Sequence, residues 1–81
     1  MTNPYDDPDQ QPVRRYSIAH NDDESRRVMI EIFRNPVSAY EIFADGKREE
    51  NAGGPCETLH VADFVVRQLW GDRVWDLRRE E

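Results

Sequence analysis

Apolar and polar residues alternate at period two through three stretches of the chain, and the period then lengthens to about 3.6. In residues 13–20 (VRRYSIAH), Arg14, Tyr16, Ile18 and His20 fall on one side, with Val13, Arg15, Ser17 and Ala19 on the other. That alternation predicts a strand with Tyr16 and Ile18 turned to a core. The polar cluster at 21–25 (NDDES) reads as a turn. Residues 27–33 (RVMIEIF) carry the strongest strand pattern: Val28, Ile30 and Ile32 line one face, and Met29, Glu31 and Phe33 the other.

Asn35-Pro36 interrupts the pattern, because the residue before a proline is pushed out of helical geometry. A third strand follows at 37–44, with Tyr40 and Ile42 opposed to Ala39, Glu41 and Phe43. Asp45-Gly46 suits a two-residue hairpin, since both residues tolerate positive φ. Residues 47–50 (KREE) then form a short charged returning strand or a loop, and the charge suits an unpaired edge.

Pro55 fits the first position of a helix, with Glu57 at the positive end of its dipole. The helix is expected to run to about Trp70 and to stop at Gly71 as a left-handed cap. Leu59, Ala62, Val66, Leu69 and Trp70 share its apolar face with Val61 and Val65, while His60, Asp63 and Arg67 lie opposite. Phe64 sits at the boundary, either at the rim of the sheet or as a contact anchor. Residues 72–78 read as a strand that joins the sheet, with a short helix capped by Asp72 as the alternative.

The result is an α+β fold, a three- or four-stranded and mostly antiparallel β-meander with one main C-terminal helix on one face. A meander followed by a helix also ends double-stranded-RNA-binding domains. The likeness is one of topology alone, because this helix lacks the basic residues that would meet phosphate.

Composition sharpens this picture at the N-terminus. Residues 1–12 (MTNPYDDPDQQP) hold three Pro and three Asp but only Met1 and Tyr5 as apolar residues. Such a stretch buries too little surface to offset its ordering entropy and is expected to be a disordered acidic arm, leaving 13–81 as one small domain. A chain of 81 residues buries only about 60% of its unfolded surface on folding. That leaves little room for a deep catalytic cleft, so a non-enzymatic protein acting through its surface is expected.

The formal net charge of −6 disfavours direct binding of DNA or RNA, which calls for a clustered basic face. One reading is a surface tuned for solubility. The sharper one is docking on a basic protein surface, including one that itself binds nucleic acid. Cys56 is the single cysteine, apolar runs do not exceed three residues, and the N-terminus has no basic-then-apolar leader. A cytoplasmic protein without disulfides or membrane spans is therefore expected.

Candidate chemistry is sparse, and no cofactor is expected. Cys56 and His60, at i and i+4 on the expected helix, could join His20 and Glu57 as zinc ligands, but a structural zinc site normally shows two local ligand pairs. The same thiol could serve as a nucleophile with His60 or His20 as base. Against both stands a small buried thiol beside an exposed imidazole. Asp22, Asp23 and Glu24 lack the glycine and distal glutamate of a calcium loop and read as a solvated turn. Gly53-Gly54 could approach a phosphate, but Glu57 and the lack of a nearby lysine favour a plain loop.

Two features favour partner binding. If one sheet face meets the helix, Met29, Phe33 and Phe43 on the other face are left as an apolar patch, unless the arm or Trp75 covers them. The acidic residues also gather at loops and ends. The expected contacts are Asp22, Asp23, Glu24, Glu49 and Glu50, with Phe43 as an apolar anchor. Small acidic proteins of phages and mobile elements, inhibitors of CRISPR complexes among them, have this general size and charge, though no motif carries the comparison. An inhibitor or regulator of that kind is the preferred expectation, and a small homodimeric structural or regulatory subunit is the alternative.

Overall fold

Among the described residues, five strands and one α-helix follow in the order β1 (Arg14–His20), β2 (Asp23–Arg34), β3 (Tyr40–Ala44), β4 (Lys47–Arg48), α1 (Leu59–Trp70) and β5 (Trp75–Arg79). The computed structural model describes residues 11–80. The acidic arm assigned to residues 1–12 falls outside that range, except for its last two positions. Every strand pairing is antiparallel, and the sheet order is β4-β3-β2-β1-β5. The first four strands are a meander. The chain then crosses through α1 and adds β5 beside β1. The expected α+β class holds, and the sheet reaches five strands because both 47–48 and 75–79 pair.

The period-two pattern explains the core. Tyr16, Ile18, Ile30, Ile32 and Ile42 are buried on one sheet face, where they meet Ala62, Val66 and Trp70 of α1. Full burial of each such isoleucine contributes about 1.5–3 kcal/mol relative to exposure. Asp45 and Gly46 take φ of 54° and 78°, which suits the tight turn between β3 and β4. In the longer β2–β3 connection, the Asn35 side-chain carbonyl accepts from the N–H groups of Val37 (3.0 Å) and Ala39 (2.9 Å).

The helix departs from expectation at both ends. It starts at Leu59, not Pro55. Cys56 exchanges two backbone hydrogen bonds with Tyr40 (2.7 and 2.8 Å), which hold it in an isolated β-bridge beside β3. The Thr58 hydroxyl then accepts from the Val61 N–H at 3.1 Å and caps the first turn. At the other end, Gly71 has φ of −90°, so it is no left-handed cap. It is needed for space: a Cβ there would lie 2.2 Å from the Arg67 carbonyl oxygen.

The buried face of α1 centres on Ala62, Val66 and Trp70. Val61, assigned to the apolar arc, is 42% exposed, and Phe64 is 58% exposed. Asp63, assigned to solvent, sits at the margin of the buried face and accepts a hydrogen bond from the Tyr16 hydroxyl. A polar residue at that margin escapes a simple apolar count.

Candidate functional site

The β1–β2 hairpin outruns its neighbour on one side. β3 ends at Ala44, opposite Ile30, and Asp45 closes that level with a hydrogen bond to the Met29 carbonyl. Beyond it β2 pairs with β1 alone. From Ile18 to His20 the first strand advances two residues while its partner advances five, from Val28 to Asp23. The surplus residues break the register of the ladder, and such bulges re-aim side chains.

β5 holds the other flank. His20 pairs with Trp75, and Asn21 donates its backbone N–H to the Val74 carbonyl at 2.9 Å and its side-chain amide to the Arg73 carbonyl. The Asp72 carboxylate accepts from the Val74 N–H at 2.9 Å, tightening the connection from α1. Asp72 thereby joins Asp22, Asp23 and Glu24 at one end of the molecule.

On the helix side of this end lies an open cleft of about 230 Å³, lined by His20, Asp23, Arg26, Val28 and Trp75. The His20 and Trp75 rings meet edge to face, with centroids 5.4 Å apart. His20 Nδ1 accepts from the Asp22 N–H at 3.1 Å, so the neutral ring carries its proton on Nε2. The Asp22 side chain is 91% exposed, with its carboxylate 3.7 Å from the same Nδ1. Asp23 accepts from the Ser25 hydroxyl at 2.6 Å. The cleft thus offers an apolar floor from Trp75 and Val28 under a rim that carries the Asp23 carboxylate and the Arg26 guanidinium.

Arg27 braces the site from the opposite sheet face. Its guanidinium crosses β1 to reach the Ser17 hydroxyl (2.9 Å), the Asp76 carbonyl (3.2 Å) and the Asp76 carboxylate (2.5 Å). Ser17 and Ala19 are small and buried, which leaves room for the long side chain to lie across the strand. The hydrogen bond from Arg27, with further help from Arg78, holds the Asp76 carboxyl below the usual carboxylate range.

The expected contact residues do not form one surface. Glu49 donates its N–H to the Ile42 carbonyl, a level that β2 and β1 continue through Ile32 to Arg14. Asp23 lies six residues further along β1, opposite His20. At strand spacings, the two acidic groups are roughly 20 Å apart along the strands and roughly 10 Å across them. Glu49 also has a local task, since its carboxylate accepts from the Asn51 N–H at 3.2 Å and caps the short 3-10 turn Glu50–Ala52. Glu50 is exposed there.

Phe43 is not an open anchor. It is 3% exposed and packs edge to face with the buried Phe33, centroids 5.4 Å apart, so each ring shields the other. Met29 on the same face stays exposed. Cys56 lies in a β-bridge and not on the helix, so the one-turn spacing that linked it to His60 does not apply. Burial pushes its thiol up, away from the thiolate form. Among the described residues, no three His, Cys, Asp or Glu side chains are grouped to hold a metal ion, and no helix is long and apolar enough to cross a membrane.

Sequence reading missed the cleft. His20 and Trp75 are 55 positions apart, and only the pairing of β5 with β1 brings them together. The tendency of 72–78 to form a strand was the one available signal. The chain matches no protein-family model, and no curated protein or solved structure is significantly similar to it.

Proposed function

We propose that this protein is a non-enzymatic binding module that docks a basic protein surface through the end of its β1–β2 hairpin. The observation that carries the reading is the juxtaposition of the exposed Asp23 carboxylate with the Trp75–Val28 floor, at a hairpin end that also exposes Asp22 and Glu24. A lysine or arginine from the partner would lay its aliphatic stem on that floor and its charge against Asp23, as long cationic side chains do at interfaces. Arg26 on the rim sets the orientation by repelling a second cation. A partner surface of that sign fits a nucleic-acid-binding protein, and the module would act as its inhibitor or regulator.

Glu49 and Glu50, about 20 Å away along the strands, take no part in this contact. The test is affinity capture from a nuclease-treated lysate with the full chain, at low and near-molar salt. The variant D22N/D23N/E24Q should release a salt-sensitive partner, while E49Q/E50Q keeps it. A partner that survives the hairpin changes, or that ignores salt, removes the proposal's basis.

A further inference from the structure

The phase of β5, the strand beside β1, follows from its pairing. Asn21 bonds Val74, and the Glu80 N–H reaches the Arg15 carbonyl at 3.0 Å. These two pairs fix the phase of the β1–β5 ladder. Asp76 and Arg78 turn their backbone groups toward β1, whereas Trp75 and Leu77 turn theirs to the outer edge. β5 is the last strand on that side of the sheet among the described residues.

We infer that two copies of this chain join through antiparallel pairing of their β5 strands, centred on Leu77. The sequence of the edge selects that register. With Leu77 opposite its own copy, Asp76 faces the second copy's Arg78, and Trp75 faces its Arg79. Each charged residue of the strand except Arg79 thus meets its opposite, twice over by symmetry, and Arg79 meets an indole suited to a cation.

The neighbouring registers that keep outward backbone groups opposed are worse. A shift one way sets Asp76 against Asp76. A shift the other way sets Arg78 against Arg78 and Asp76 against Glu80. Like charges directly opposite destabilise a strand pair. The Arg78 side chain, 62% exposed, already lies 2.9 Å from its own Asp76, so the paired edges would alternate in sign across the seam. Leu77 is half-buried beside the core, and its copy would cover the remainder.

In this arrangement the twofold axis is perpendicular to the sheet, both helices lie on one face, and ten strands form one continuous sheet. The inference goes beyond the docking proposal and stands without it.

Sedimentation of the full chain over a concentration series tests it, together with amide exchange at low and high concentration. The wild type should sediment as a monomer–dimer equilibrium, and the Leu77 amide should gain protection as the dimer forms. Arg78→Glu, which places an acid opposite Asp76 at both ends of the seam, should weaken the dimer roughly tenfold with the far-ultraviolet spectrum unchanged. A monomer at every concentration overturns the inference, as does a dimer in which the Leu77 amide stays unprotected. The exchange measurement decides the matter on the wild type even if Arg78→Glu fails to fold.

Discussion

The Tyr16 hydroxyl donates a hydrogen bond to the Asp63 carboxylate across the interface between β1 and α1. Arg67 Nε meets the other carboxylate oxygen at 3.0 Å, and Arg14 lies 3.6 Å from the first. One partly buried acid therefore gathers a phenol and two guanidiniums, and fastens the helix to the central part of the sheet.

That cluster makes stability depend on pH at both extremes. Burial alone would raise the Asp63 carboxyl, but the bonds from Tyr16 and Arg67, with the charges of Arg67 and Arg14, hold it below the usual range. Its contribution is therefore present above the ordinary value of about 3.9 and is lost as pH falls through the lower folded value. Burial, then the bond to Asp63, raises the Tyr16 phenol. Its contribution is complete below about 10 and is lost as pH climbs through the higher folded value. Tyr16→Phe should cost about 1–2 kcal/mol at neutral pH and flatten the alkaline limb, measured by urea denaturation across pH.

Gly71→Ala should destabilise by about 1–3 kcal/mol, because the new methyl must displace the last turn of α1. Thermal unfolding measures it. Gly46→Ala meets no atom within 4 Å and loses only the ease of a left-handed residue, about 1–2 kcal/mol. The two glycines thus fail for different reasons: a Gly46→Asn change, which tolerates that conformation, should recover much of the loss, while Gly71→Asn should not.

Arg27→Lys keeps the charge but loses the fork that reaches Ser17 and both the carbonyl and one carboxylate oxygen of Asp76. About 1 kcal/mol should be lost in denaturant unfolding. Hydrogen exchange should accelerate first in β5, the strand that Arg27 ties to the hairpin.

Arg48→Ala removes the guanidinium 2.5 Å from the carboxylate of Glu41, which is 4% exposed. Asn35 still donates to that carboxylate at 3.2 Å. The loss should be about 1–3 kcal/mol by thermal unfolding. Pairing the change with Glu41→Gln, which removes the buried charge as well, should restore part of it.

Local periodicity carried most of the fold. The alternation of Tyr16 and Ile18, and of Val28, Ile30 and Ile32, named the core side of β1 and β2, and Asp45-Gly46 marked its turn correctly. The helix start was misread because Pro55 is a weak local signal, whereas the Cys56–Tyr40 bridge depends on where β3 lies. The site was far less legible. Asp22, Asp23 and Glu24 stood out as a run, but their neighbours Asp72 and Trp75 arrive from beyond the helix. Phe43 was read as open since alternation tells which face a residue takes and nothing about what shields that face.

The other end of the sheet has a different character. β4 is two residues long, both cationic, and its chain turns at once into the 3-10 segment. It offers too little ladder to seed another molecule. A sheet extended by β5 alone would therefore stop at two copies, since among the described residues each joined pair is bounded by this truncated strand. The truncated strand acts as a chain terminator, separating a closed particle from an open-ended fibre.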